Sequence, residues 1–281
     1  MYPVMKARLH QLFETVGWAG ACLLLVLIGL YQGIQQQVLT VELLWLSLEV
    51  VWLDAVSASL VFTVFLLLTG LLLFYEVAAP ATTVSTRHDG PKLTAIIPVY
   101  RDGNVLQRSV DSLRESTYQN LEIVVACEPD DEATIAAAES MADDVVSVAI
   151  NSYPGSKAGA IQTVIEGAEA DSFAVFDADE IVDAEFLATG MGALCDEGYD
   201  VFQGRRIPEP TGLVETLAYC ERVTYHASYK LVELTGFRNC RSSSTVFTRD
   251  AYETVGGYDD LLTEDLAFAH KCYRHGLAVR Q

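Results

Sequence analysis

Short apolar runs alternate with segments of helical periodicity between residues 92 and 176, and this alternation constrains the fold more than any other feature of the sequence. The runs are continuously apolar, which is typical of strands that are buried on both faces of a sheet. Four such runs separated by three helical segments indicate βαβ units. The sequence therefore predicts an α/β fold with an open, mostly parallel, Rossmann-like sheet flanked by helices. The predicted strands are at 92–100, 121–126, 145–150 and 173–176, and the predicted helices are at 105–115, 134–141 and 157–170.

The fourth apolar run ends abruptly in Asp177-Ala178-Asp179-Glu180. Ligands of open parallel sheets bind beyond the carboxyl ends of the strands, where these carboxylates lie. Along an extended strand Asp177 and Asp179 would share one side and Glu180 would face the other, so we leave Glu180 out of the predicted site. Mg²⁺ and Mn²⁺ prefer carboxylate oxygens and complete their shells with water and substrate phosphates. Taken alone, the aspartate pair fits a metal site and a solvated turn equally well.

Three further segments carry side chains that suit a phosphorylated ligand. Tyr100 offers a ring face or a hydroxyl to a nucleotide base, or it belongs to an ordinary turn after a strand. Lys157 begins a predicted helix, where a phosphate would meet an ammonium group and free N–H groups; a solvated lysine is the other interpretation. Glu264 and Asp265 follow the N-cap candidate Thr263, and they serve either catalysis or only the helix dipole.

Seven short motifs follow one another between about residues 94 and 276. In chain order they are Ile97-Pro98-Val99-Tyr100, Glu122-Ile123-Val124-Val125-Ala126-Cys127-Glu128, Lys157-Ala158-Gly159-Ala160, Asp177-Ala178-Asp179, Gln203-Gly204-Arg205, Gly256-Gly257-Tyr258-Asp259 and Thr263-Glu264-Asp265. No single motif is specific. In their order and spacing they resemble family 2 glycosyltransferases, and in particular the membrane-anchored branch that contains cellulose, chitin and hyaluronan synthases.

The resemblance implies a GT-A-like fold and an inverting, metal-dependent transfer of a sugar from a nucleotide sugar, with UDP as the expected nucleotide. It implies that Asp265, together with Glu264, supplies the base for the acceptor hydroxyl. Asp179 and Asp177 would hold Mg²⁺ or Mn²⁺, which offsets charge on the leaving diphosphate. The residues implied to bind the nucleotide sugar are Pro98, Tyr100, Glu128, Lys157, Asp177, Gln203 and Arg205.

One motif departs from the pattern of the family. Many relatives carry two acidic residues after the second strand, which hold the base and the ribose, whereas this chain has Cys127-Glu128. Glu128 can still accept a hydrogen bond from uracil N3–H or from a ribose hydroxyl. Because the first acid is missing, the identity of the nucleotide stays open.

Two uncharged stretches, 16–34 and 55–75, each approach the roughly 20 residues that cross a bilayer as a helix. Basic residues precede the first stretch and follow the second, at Lys6, Arg8, Arg87 and Lys92. The positive-inside rule then places both ends in the cytoplasm. Residues 43–53 are also apolar and are expected to form an interfacial helix or a longer start of the second span.

These stretches predict the organisation of the whole chain. Residues 1–80 are expected to form a membrane anchor with two transmembrane helices, residues 81–91 a linker, and residues 92–281 a cytoplasmic catalytic domain. The expected location is the cell membrane, with a multi-pass topology and with lipid as a partner. Residues 207–235 have helical apolar spacing, which fits either an amphipathic helix against the membrane or acceptor, or a plain packing helix.

Acidic residues outnumber basic ones by 38 to 18, and 32 of the acidic residues lie from Asp102 onward. This balance argues against a nucleic-acid partner, because nucleic acids bind basic surfaces. A densely acidic surface also suits a salt-adapted, halophilic source. The six cysteines are scattered without a Cys-x-x-Cys pair, which predicts reduced thiols and no zinc site. Nothing in the sequence predicts the oligomeric state.

Synthases of the resembled branch continue into a Gln-x-x-Arg-Trp motif and further transmembrane helices. This chain ends at Gln281 and has no tryptophan after Trp52, so we expect either a single-addition transferase or part of a longer chain. The predicted acceptor is a glycan or a lipid-linked sugar close to the membrane. The alternatives are a truncated processive polysaccharide synthase and a non-catalytic membrane scaffold that keeps the fold.

Overall fold

The computed structural model describes residues 37–43, 45–52, 63–64, 67, 70–71, 84–208, 211–233 and 236–281. The chain divides into two compact units. The smaller unit comprises Met1–Ala81 and Pro208–Phe237, and the larger unit comprises Thr82–Ile207 and Arg238–Gln281. In the described parts of the chain, the smaller unit contains a two-stranded sheet and the larger unit a seven-stranded sheet.

A β-hairpin belongs to the smaller unit. Strand β1 (Gln37–Leu43) pairs antiparallel with strand β2 (Leu46–Trp52) along their whole lengths. The expectation of a helix over residues 43–53 is therefore wrong. The sequence Leu-Ser-Leu-Glu-Val of β2 alternates apolar and polar side chains, and a period of two favours a strand over a helix.

The other elements follow in chain order. They are β3 (Leu93–Val99), α1 (Gly103–Arg114), β4 (Leu121–Cys127), α2 (Glu132–Glu139), β5 (Val146–Ile150), α3 (Lys157–Gly167), β6 (Ser172–Val175), α4 (Phe186–Cys195), β7 (Val201–Gln203), α5 (Leu213–Glu233), β8 (Thr245–Thr248), α6 (Arg249–Val255), α7 (Glu264–His275) and β9 (Val279–Arg280).

The seven-stranded sheet of the larger unit confirms the predicted α/β architecture. Its strand order is β5-β4-β3-β6-β8-β7-β9. The first four strands in this order are mutually parallel, whereas β8 runs antiparallel to both β6 and β7. The predicted strands and helices of residues 92–176 all form, with boundaries displaced by a few residues.

The core of the larger unit lies between this sheet and its helices. Strand β3 is buried along almost its whole length, as expected for a central parallel strand. Helix α1 turns Leu106, Val110 and Leu113 toward the core, at the i, i+4 and i+7 positions of one helix face. Buried apolar residues thereby pack the helices against the sheet, and the polar residues lie in the loops at the edge of the sheet.

The parallel strands end close together at one edge of the sheet. Val99 at the end of β3 is paired with Cys127 at the end of β4, which in turn is paired with Ile150 at the end of β5. Strand β6 stops earlier, with Val175 opposite Ile96. The loops that follow these four strands therefore share the carboxyl edge, where ligands of such sheets bind.

Helix α5 belongs to the smaller unit and confirms the helical periodicity seen at residues 207–235, with narrower bounds. Its first turns expose the apolar side chains of Leu213, Val214 and Leu217. The expected span at 16–34 lies outside the described residues, as does most of the expected span at 55–75. Among the residues that are described, we find no helix with both the length and the hydropathy needed to cross a bilayer.

Candidate active site at the carboxyl edge of the sheet

A cavity of about 940 Å³ opens at the carboxyl edge of the sheet. The loops after β3, β4 and β6 line it, together with the segment that leads into α3. The predicted site residues in its wall are Pro98, Tyr100, Glu128, Lys157, Asp177 and Asp179. The motifs of the strand-end loops thus line the cavity, whereas Gln203, Arg205, Glu264 and Asp265 are not part of its wall.

Glu128 ties two of these loops together. One carboxylate oxygen accepts from the side-chain amide of Asn151 at 2.6 Å, and the other accepts from the backbone N–H of Gly155 at 2.8 Å. Gly155 has a φ of 94°, a left-handed conformation that glycine adopts without strain. Glu128 therefore fixes the loop that carries Lys157, and each of its oxygens keeps a lone pair for a ligand.

Cys127 precedes Glu128 and is fully buried at the end of β4. Burial raises the pKa of its thiol to about 11, and the negative charges of Asp131 and Glu139 act in the same direction. The thiol is therefore neutral at physiological pH. The cysteine that replaces an expected acid therefore contributes an uncharged, buried group at the end of β4.

Lys157 is the first residue of helix α3. Ser156 caps this helix, because its hydroxyl accepts from the backbone N–H of Gly159 at 2.9 Å. The Lys157 ammonium group reaches across the cavity and lies 2.5 Å from one carboxylate oxygen of Asp177. The segment after β5 and the loop after β6 thus meet through one ion pair.

Arg206 binds the same acidic loop from the other side. Its guanidinium lies 2.7 Å from the second oxygen of Asp177, 2.7 Å from Glu180 and 3.7 Å from Asp179. The family resemblance implied Arg205 instead, which is exposed. Arg205 and Arg206 follow the short strand β7, and neighbouring side chains of an extended segment point to opposite sides. The sequence alone does not show which of the two arginines faces the acidic loop.

Glu180 is inside this charged cluster, so the expectation that it faces away from the site is wrong. Strand β6 ends at Val175, and the chain then turns, with the N–H of Glu180 donating to the carbonyl of Asp177 at 3.2 Å. Strand alternation does not apply to a turn. Glu180 is only 7% exposed. Its carboxylate accepts from the hydroxyls of Ser243 and Ser244 at 2.9 and 3.0 Å and from the backbone N–H of Asp177 at 3.0 Å.

Gln203 holds the backbone beside the cluster. Its amide nitrogen donates to the carbonyls of Gly204, Ser243 and Ser244 at 3.0 to 3.1 Å. Its amide oxygen accepts from the N–H of Arg241 and from the hydroxyl of Thr245. The side chain is buried and uses both ends of its amide in these contacts. In this structure Gln203 shapes the segment that carries the serines.

The two predicted catalytic acids lie in the first turn of helix α7, as the sequence indicates. The carboxylate of Glu264 accepts from the hydroxyl of Ser242 at 2.7 Å, and the carboxylate of Asp265 accepts from the N–H of Leu266 at 2.7 Å. Thr263 occupies the N-cap position, but its side chain makes no capping hydrogen bond. Neither acid belongs to the cavity wall, but Ser242, which binds Glu264, is followed by Ser243 and Ser244, which bind Glu180.

The donor set suits a hard divalent cation. Within the described residues, no group of three or more His, Cys, Asp and Glu side chains is placed to hold a metal ion. Asp179 presents its carboxylate to the cavity with its side chain 67% exposed, while Asp177 is occupied by two cationic side chains. Mg²⁺ and Mn²⁺ commonly take one or two carboxylates and complete their shells with water and substrate phosphates. Asp179 offers one accessible carboxylate to such an ion, and Asp177 lies in the same loop.

Residues 94–256 match the sequence family described as Glycosyl transferase family 2. The match covers 163 of the 281 residues, which is more than half of the chain. It begins within β3 and ends at the residue after α6, so it contains all the loops that line the cavity.

Individual relatives are more distant. The chain is 27% identical over 114 residues to Glycosyltransferase GlyG of Streptococcus pneumoniae serotype 4, which covers 40% of this chain and 38% of that protein. The mannosyltransferase PcManGT of Pyrobaculum calidifontis, solved with GDP-Man and Mn²⁺, superposes with a TM-score of 0.56 at 19% identity, over 78% of this chain and 64% of that one. Residues 1–349 of TarS from S. aureus superpose with a TM-score of 0.47 at 15% identity, over 67% and 57%. The PcManGT similarity is one of fold, and the chain spans only part of each relative.

Proposed function

We propose, because this chain belongs to glycosyl transferase family 2, that it transfers a sugar from a nucleotide sugar to an acceptor. One observation supports the proposal more than any other. The cavity at the carboxyl edge brings Lys157, Asp177 and Asp179 together from separate loops. An ammonium group beside paired carboxylates suits a diphosphate that binds with a metal ion.

The donor lies along the cavity in this proposal. The base and the ribose bind near Pro98, Tyr100 and Glu128, and the diphosphate binds near Lys157 and Asp177. Gln203 acts by shaping the neighbouring segment, and Arg205 contributes a second positive charge. We keep UDP as the expected nucleotide and regard GDP as its competitor, since Cys127 replaces an acid that would contact the nucleoside.

Asp179 and Asp177 would hold Mg²⁺ or Mn²⁺ in this site. The ion supplies positive charge at the diphosphate when the bond to the sugar breaks. The protein's own contribution on that side is Lys157, which neutralises Asp177 until a phosphate oxygen takes its place. The remaining side chains of the cavity wall orient the donor.

Asp265 is the proposed base for an inverting displacement. Its carboxylate accepts the proton of the acceptor hydroxyl while that oxygen attacks the anomeric carbon on the face opposite the leaving diphosphate. Glu264 is tied to Ser242, which leaves Asp265 as the acid that depends less on side-chain partners. The first helical turn favours both acids in their charged form.

The proposed acceptor is a glycan or lipid-linked sugar at the membrane, and the proposed location is the cytoplasmic side of the cell membrane. Support comes from the uncharged stretches at 16–34 and 55–75 and from the basic residues that flank them.

Product analysis tests the proposed function. Membranes that contain the full chain are incubated with Mn²⁺ and a panel of UDP- and GDP-linked sugars, and glycolipid and glycan products are identified by mass spectrometry. We expect one donor to be consumed, and Asp179→Asn to lower transfer by at least about 100-fold. Asp144→Asn, an exposed change of the same charge at the amino end of β5, serves as the matched control. Absence of transfer from every donor would refute the proposal, and polymeric products would indicate a processive enzyme.

A further inference from the structure

Arg206 contacts both aspartates that would hold a divalent cation in the proposed site. It contacts Asp177 and Glu180 at 2.7 Å and reaches Asp179 at 3.7 Å. We propose that Arg206 is the resident counter-cation of the two aspartates and competes with the divalent metal for them. This inference rests on the proposed function, because it concerns the metal site of that same cavity.

Charge balance in the cluster supports competition. Three carboxylates, those of Asp177, Asp179 and Glu180, face the two cations Lys157 and Arg206, so the net charge is −1. Without Arg206 the net charge becomes −2, which a divalent cation balances. Arg206 thus lowers the attraction of the empty site for a metal, and a donor diphosphate restores that attraction by adding negative charge next to Lys157.

Glu180 is the positioning residue that keeps Arg206 in place. Its buried carboxylate accepts hydrogen bonds from the hydroxyls of Ser243 and Ser244 and forms an ion pair with the Nε of Arg206. The same carboxylate accepts from the backbone N–H of Asp177. The arginine therefore stays anchored at Nε while its two Nη groups are available to exchange partners. This geometry weakens metal binding to the empty site and favours binding of the metal together with the donor.

The test measures Mn²⁺ affinity of the purified full chain without nucleotide, by the electron paramagnetic resonance signal of free Mn²⁺. We expect Arg206→Gln to bind Mn²⁺ about fivefold to tenfold more tightly than the wild type, as estimated for removing one nearby charge at a partly exposed site. Arg108→Gln removes the same charge from an exposed position of helix α1 outside the cavity wall and is expected to leave the affinity unchanged. In the Asp179→Asn background, the gain from Arg206→Gln should disappear.

A second variant tests whether the change in Mn²⁺ affinity comes from a folding defect or from Glu180 acting as a metal ligand. Arg206→Gln leaves Glu180 buried without its cation, which destabilises a protein, so the double variant Arg206→Gln/Glu180→Gln is measured as well. The double variant has the same cluster charge, −1, as the wild type, so we expect it to keep only the part of the gain that comes from freeing the aspartate oxygens, and to unfold at a higher temperature than the single variant. Complete loss of the gain in the double variant would show that net charge, or Glu180 as a metal ligand, and not occupation of the aspartates by Arg206, accounts for it, and would overturn the proposal.

The remaining outcomes are equally decisive. Equal gains in Arg206→Gln and Arg108→Gln would show a general charge effect. An unchanged or weakened affinity in Arg206→Gln would show that Arg206 does not compete. Each result overturns the inference, as does absence of Mn²⁺ binding in all variants. The result is independent of transfer. If no nucleotide sugar is consumed but the Arg206→Gln gain depends on Asp179, the inference stands while the proposed function fails.

Discussion

Single residues in the cavity combine opposite charges at short range. Asp177 is paired with Lys157 on one oxygen and with Arg206 on the other, and Asp179 stays largely exposed beside it. A carboxylate with two cationic partners is held in one orientation before any ligand arrives. Asp177 is therefore preorganised by its two ion pairs, and the metal contact that we propose involves the exposed carboxylate of Asp179.

Asp265→Asn tests the base assignment at this scale. We expect its kcat for transfer to fall by about 100-fold to 10,000-fold, because the acceptor hydroxyl loses the group that takes its proton. Mn²⁺-dependent binding of the donor should stay within about twofold of wild type, measured by calorimetry. Glu264→Gln keeps an acceptor for Ser242 and should cost much less. Full transfer activity in Asp265→Asn would show that another group is the base.

Helices and loops position these residues through a few capping contacts. Asp131 connects two elements: its carboxylate caps α2 through the N–H of Thr134 at 3.2 Å, and it accepts from the N–H of Arg101 at 2.6 Å. Arg101 has a φ of 60°, which is unusual for a residue other than glycine. Its guanidinium stacks on the ring of Tyr100 at 4.7 Å. The cap of α2 thus also fixes the turn that presents Tyr100 to the cavity.

Asp131→Asn tests this cap through its pH dependence. Hydrogen bonds from Thr134 and from the N–H of Arg101 lower the pKa of Asp131 below its usual value of 3.8. A lowered folded-state pKa means that the carboxylate stabilises the fold above about pH 4 and that this contribution is lost as the pH falls through the folded value. The difference in melting temperature between wild type and Asp131→Asn should shrink from pH 6 to pH 3. A difference that grows on acidification would contradict the assignment, and Asp144→Asn controls for the loss of one surface charge.

The whole molecule carries a formal net charge of −20 at pH 7. Most of its acidic residues lie in the sequence of the sheet and its loops, where they repel one another across the surface. Such repulsion destabilises the compact state and weakens when salt screens it. The charge bears on the stability of the fold and its solubility, and it does not determine the reaction.

Salt is therefore expected to raise the melting temperature of the chain at pH 7 by several degrees between 0.1 and 1 M NaCl, measured by differential scanning fluorimetry. Near the sequence pI of about 4.5 the net charge is close to zero, so the same salt increase should change the melting temperature much less. An equal salt effect at both pH values would point to excluded-salt effects instead of charge screening.

The sequence by itself determined the alternation of strands and helices between β3 and β6 and the loops that line the cavity. Continuous apolar runs are typical of strands that are buried on both faces of a sheet. Their alternation with helices therefore predicts a parallel sheet with the ligand-binding loops at its carboxyl edge. Lys157, Asp177 and Asp179 were placed at this edge for this reason, and Glu128 through the resemblance to family 2 glycosyltransferases; all four line the cavity.

Tertiary structure alone decided which charges meet. Strand β6 ends before the acidic loop, so the turn carries Glu180 into the cluster and not to the opposite face. Arg206 and the serines at 243 and 244 reach it from segments distant in sequence, and no local period encodes such contacts. The same holds for β2, whose pairing with β1 replaced the expected helix. Local pattern sets what a segment can form, whereas contacts between distant segments select the side chains that face one another.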